Sequence, residues 1–119
     1  MSGLDDAIKG LEQALDRPRR QQTWRWLVRH RISGVREALV HEDTRDADAW
    51  LAARENTLTR EREALLAKLS LLGPQVLDEP DVEPVHLSLK RLVADLEHHR
   101  QRVNDLVYDA VALELGGSD

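Results

Sequence analysis

Residues 85–115, VHLSLKRLVADLEHHRQRVNDLVYDAVALEL, decide how this chain folds. Val85, Leu89, Leu92, Leu96, His99, Val103, Leu106, Ala110 and Leu113 follow one another at alternating steps of four and three. On a helix that spacing returns to one face every turn, whereas a strand would need every second residue. The stripe is kept over about four heptads, the signature of coiled-coil-like packing. His99 is its single polar member. A long helix with one continuous apolar seam must bury that seam against other helices.

The rest of the chain offers them. Leu4, Ile8, Leu11 and Leu15 form a short stripe, which predicts a first helix over about 4–15 with Ser2 as its cap. Asp16 and Pro18 then read as a new start, because proline is tolerated only in a helix's first turn. A second helix is expected over about 18–42, with Trp24, Val28, Ile32, Val35 and Leu39 inward. Thr44 can cap a third over about 45–72, with Asp46 and Asp48 at the positive end of its dipole. Gly73 and Pro74 are expected to stop it, which leaves GPQVLDEPDVEP as a loop before the last helix, about 82–115. The expected fold is all-α: one domain over 1–119, an antiparallel bundle of three long helices with a short N-terminal helix packed alongside.

Composition agrees. The 119 residues include twenty leucines and no phenylalanine, with only three tryptophans and one tyrosine, which suits aliphatic helix packing better than sheets. The absence of cysteine excludes a disulfide framework and a thiolate metal site. No apolar run approaches the roughly 18 residues of a membrane span, and MSGLDDAIKG has no signal-peptide pattern, so a cytoplasmic protein without a membrane partner is expected.

Charge is uneven. Residues 17–36 hold seven arginines and no acid, so a net charge of −5 leaves −12 for the remainder. A polarised chain of this kind is expected to satisfy much of its charge internally, with nucleic acid as the less favoured partner. Trp24 and Trp26 lie two apart and point roughly 200° from each other on a helix. Trp24 belongs to the apolar stripe. Trp26 falls among arginines, with Arg29 and Arg36 at neighbouring turns, and an indole left in water forfeits about 2 kcal/mol of burial. Helix one is expected to fold back and cover it, its acids Asp5, Asp6 and Glu12 facing some of the arginines. The rival cover is a protein partner or a second copy of the chain, for which Trp26, Arg29 and Arg36 are the candidate contact residues.

One layer breaks the seam. In RENTLTRERE, 54–63, only Leu58 is apolar, and Arg54 and Glu61 take inward positions. Pairing the last two helices sets His99 near Thr57, a turn or less from both, and pairing helices two and three across the Thr44 turn brings Ser33 and Gly34 to the same level. Arg54, Glu61 and His99 are therefore candidates for a structural polar network or for a ligand site between helices. Metal spacing is poorer: Glu83 and His86 form one Glu-x-x-His pair at a helix start, and Asp95, His98 and His99 cannot all converge. No metal and no cofactor is expected. No nucleophile with its base, phosphate-cradling loop or dinucleotide fingerprint is present, so no catalytic residue is assigned.

The stretch LKRLVADLEHHRQRVNDLVYDAVALELGGS, 89–118, resembles the tail of small uncharacterised all-α proteins of actinobacteria, and WRWLVRHRISGVREAL, 24–39, is similar to their earlier helix. The resemblance implies a helical fold and a bacterial cytoplasm. It implies no activity and no site residue. The expected function is thus a helical interaction or regulatory module without catalysis, the alternatives being a ligand-binding or enzymatic bundle built on the polar layer and a nucleic-acid-associated protein built on 17–36.

Overall fold

A computed structural model describes residues 3–19, 22–41 and 52–116. The expected caps Ser2 and Thr44, the acids Asp46 and Asp48, and the side chains of Arg54, Ala110 and Leu113 lie outside the described residues. Four helices account for nearly all of the rest, and no strand occurs among the described residues: α1 Gly3–Leu15, α2 Gln22–Val40, α3 Ala52–Asp78 and α4 Val82–Gly116. At 35 residues α4 is about 52 Å long, which sets most of the 60 Å long axis of the molecule.

The stripes read from the sequence are the core. Leu4, Ile8, Leu11 and Leu15 of α1, Trp24 to Leu39 of α2, and Val85 to Leu106 of the α4 seam are all buried. Each leucine so placed stabilises the fold by about 1.5–3 kcal/mol before ordering costs. The main packing contacts run α1 to α2, α2 to α3, α3 to α4 and α4 back to α1, a closed ring around that core. One large apolar cluster reaches from Leu4 to Leu96. A second, of Leu58, Val103 and Leu106, lies beyond it. His99, on the seam between Leu96 and Val103, marks the division.

Two boundaries depart from local expectation. Pro74 does not end α3, which continues through Gly73 and Pro74 to Asp78. The clash between a proline ring and the preceding residue is mildest when that residue has no Cβ, and Gly73 supplies that relief. The extra turn buries Val76 in the core. Its carbonyls are also answered from outside: the Arg25 guanidinium donates to the carbonyl oxygens of Val76 at 3.1 Å, Leu77 at 3.3 Å, Glu79 at 2.6 Å and Pro80 at 3.2 Å. The last turn of α3 has no basic residue of its own, so a cation from α2 satisfies the helix's negative end.

The start of α2 is the other. It begins at Gln22 and not at Pro18. Residues 16–19 are held in a turn by α4 instead: Lys90 pairs with Asp16 at 2.6 Å, and Arg19 with Glu83 at 2.6 Å. His86 Nε2 lies 3.0 Å from the Leu15 carbonyl oxygen and 3.2 Å from Arg19 Nη1. One nitrogen cannot donate to a carbonyl and accept from a guanidinium together, so only one of these is a hydrogen bond in any one tautomer. When it donates to Leu15, α1 too has its C-terminal end served by a neighbouring helix.

Candidate functional site

Two places carry the residues singled out above. The first is the layer at His99. This ring is 0% exposed, held by α4 on a seam whose other members are apolar. Its Nδ1 lies 2.6 Å from Glu61 Oε1 of α3. Arg102 grips the same carboxylate, its Nε 3.2 Å from Oε1 and its Nη2 against Oε2. Burial acts to raise the Glu61 pKa, but hydrogen bonds from Arg102 and His99 outweigh it and hold the group below its ordinary 4.5. Glu61 is therefore ionised near neutral pH and can only accept, which places the proton on His99 Nδ1. Alongside, Arg100 of α4 pairs with Asp5 of α1 at 2.8 Å.

Of the three residues expected in this layer, the structure brings Glu61 and His99 together, and the Arg54 side chain is outside the described residues. The sequence pattern does not single out Arg102. A signal for it is nonetheless present, since a residue three after His99 lies on a neighbouring part of the same helix face. Ser33 and Gly34 do not join the layer. Ile32 and Val35 occupy the core, which rotates Ser33 and Gly34 outward, and a Cβ at Gly34 would meet nothing within 4 Å. Asp5 pairs with Arg100 of α4. Among the described residues no three histidine or acidic side chains converge as metal ligands would.

The second place is the outer face of α2. Trp24 is 2% exposed and tilts against His86, with ring centroids 6.1 Å apart. Its Nε1 is buried without an acceptor. Trp26 is 67% exposed. Helix α1 does not cover it, because the single α1 stripe is used in the core with Trp24, on the opposite side of α2. Trp26 instead stands beside the α3–α4 turn, lining an open hollow with Arg25, Leu77 and Pro80. Further along, α2 and α3 enclose a groove of about 490 Å³. Arg29 and Arg36 both line it, together with Pro74 and the nearly buried Ile32 and Leu69. Arg29 donates to Ser33 Oγ at 2.7 Å, and its guanidinium lies over Gly73, where a Cβ would come within 3.3 Å of Cζ. Gly73 thus relieves the proline on one side and admits Arg29 on the other.

Three of the seven arginines of 17–36 are accounted for by these contacts. Arg19 pairs with Glu83, Arg25 holds the end of α3, and Arg29 lies on Gly73. Arg36 makes no ion pair among the described residues. No helix in the described residues is long and apolar enough to cross a membrane. No protein-family model matches the chain, and no curated protein or solved structure matches it.

Proposed function

We propose that this protein is a small interaction module without catalytic activity, an antiparallel helical bundle that presents the outer face of α2 to a protein partner. The order of contacts between α3 and α4 supports the antiparallel arrangement, since Lys68 meets Asp95 while the earlier Glu61 meets the later His99 and Arg102. The observation that carries the functional reading is Trp26, the largest side chain type, left 67% exposed two residues from a fully packed Trp24. Exposed tryptophan and arginine together are the residue types most enriched at binding hot spots. Trp26, Arg29 and Arg36 share that face.

The His99 layer supports a structural role in this reading. Its carboxylate already has two donors, and buried polar groups at single seam positions act on helix register. The engagement of Arg19 with Glu83 and of Arg25 with the end of α3 weighs against a nucleic-acid surface.

A photo-crosslinking amino acid at Ser33, in the protein expressed in its own host, tests the proposal. The expected result is a discrete adduct heavier than the 13.6 kDa chain that disappears when Trp26→Ala is added. Its mass distinguishes another protein from a second copy of this chain. No adduct from Ser33, with adducts from exposed Glu63 on α3, would overturn the assignment of the α2 face.

A further inference from the structure

We propose that the occupant of the α2–α3 groove is an acidic amphipathic helix of the partner protein, laid along α2 with its carboxylates over Arg29 and Arg36. This rests on the α2 face being the partner surface and adds the chemistry of what binds there.

The argument begins with spacing. At about 100° per residue, Trp26, Arg29, Ser33, Arg36 and Val40 fall within an arc of about 80° on α2. They form one straight strip. Its ends are apolar and open, Trp26 at 67% and Val40 at 54% exposure. They are fourteen residues apart, about 21 Å, close to the length of a four-turn helix. The groove beside the strip is lined by the two arginines and the exposed Pro74, with Ile32 and Leu69 nearly fully buried beneath them. A third helix laid beside the strip, with its apolar residues on Trp26 and Val40, would use the groove mode of peptide recognition.

Charge selects the class of helix. Arg29 and Arg36 are seven residues apart, so a helix lying along α2 meets both from one heptad phase. Among the described residues Glu37 is the one acid lining the same groove, against these two arginines and His41. At the other end the balance reverses, because Asp78 and Glu79 stand beside Trp26. The partner's acids therefore belong opposite Arg29 and Arg36 and not opposite Trp26, which also sets the direction in which the helix lies. Complementary rim charges of this sort mainly steer and orient, while the exposed apolar side chains Trp26 and Val40 supply most of the affinity.

The test uses the full chain and labelled synthetic helical peptides of about 18 residues. All carry leucines at steps of three and four; one has glutamates flanking the half that meets the arginines, another lysines, a third glutamines. Fluorescence anisotropy should show the glutamate peptide binding about tenfold tighter than the lysine peptide, with the preference shrinking as salt rises. The double variant Arg29→Glu/Arg36→Glu should reverse the order of the two charged peptides, and Trp26→Ala should weaken all three. Arg29 touches Gly73, so circular dichroism and the single variant Arg36→Glu guard against a folding artefact; Arg36→Glu alone should remove most of the preference. If all three peptides bind equally, and Trp26→Ala still abolishes binding, the acidic partner is overturned while the α2 face stands. If none binds at millimolar peptide, or binding ignores both Trp26 and the arginines, the groove assignment is overturned.

Discussion

Replacing Arg25 by methionine should loosen the end of α3 more than any other part of the protein. The guanidinium donates to four carbonyl oxygens, those of Val76, Leu77, Glu79 and Pro80. Hydrogen bonds to a charged group contribute about 1.5–3 kcal/mol net, and a cation at a helix C-terminus adds about 0.3–1 kcal/mol. Two partners, Glu79 and Pro80, are exposed, so water replaces the lost donor there and the full sum is not reached. Methionine keeps most of the apolar stem, which isolates the loss of the donor. The expected destabilisation is about 2 kcal/mol, or about 8 °C in melting temperature for a chain of this size. Arg25→Lys keeps the charge but not the planar fork and should lose about half as much. Urea unfolding followed by circular dichroism gives the free energy. Hydrogen exchange gives the location: amides of residues 75–79 should lose protection before those of α1. A change below about 0.5 kcal/mol for Arg25→Met, or a loss of protection spread evenly over all four helices, would refute the assignment of Arg25 as the cap of α3.

Further outcomes follow from the same contacts. Pro74→Ala returns an N–H to the carbonyl of Ser70 and should stabilise α3 by on the order of 1 kcal/mol, partly offset by greater freedom of the unfolded chain; a lowered urea midpoint would count against an uninterrupted α3. His99→Leu should destabilise by about 1–3 kcal/mol by leaving Glu61 half-served, and adding Glu61→Leu should recover part of that loss; a coupling energy of zero would mean that the two side chains do not meet. Because the Glu61 pKa is lowered on folding, its contribution is complete above about 4.5 and is lost as pH falls through the lower folded value, so Glu61→Gln should flatten the acid limb of a stability-against-pH curve measured by urea unfolding. Trp24→Ala should cost about 3–5 kcal/mol, whereas Trp26→Ala should stay within about 0.5 kcal/mol of the wild type in the same assay. Duplex and single-stranded DNA should bind no tighter than roughly micromolar at physiological salt by fluorescence anisotropy.

The His99 layer is half legible in the chain itself. A histidine at a seam position announces a polar contact, and the interrupted pattern of 54–63 names the helix that must answer it. The choice of Glu61 follows from register along α3 and α4. Arg102 is harder to find because an exposed arginine next to a seam carries no periodic signal of its own; only the carboxylate across from it distinguishes it from other surface cations.

The number and nature of the helices were determined by the sequence alone. Leu4 to Leu15, Trp24 to Leu39 and Val85 to Leu106 each repeat at helical spacing, and that periodicity is a property of a short stretch of chain, independent of what it packs on. Local propensity also favours two boundaries that the tertiary structure reverses: that Gly73–Pro74 ends a helix and that Pro18 begins one. Each local preference is worth about 1–3 kcal/mol, and each is opposed by contacts of the same size from residues far away in the chain. Arg25, fifty-one residues from Val76, holds the far side of the proline; Glu83 and Lys90 hold the turn around Pro18. The position of Trp26 belongs to the same class. Its direction on α2 is readable from its distance to Trp24, but whether anything stands opposite depends on where α1 places its one apolar stripe. Helix α1 has a single such face, and the core takes it.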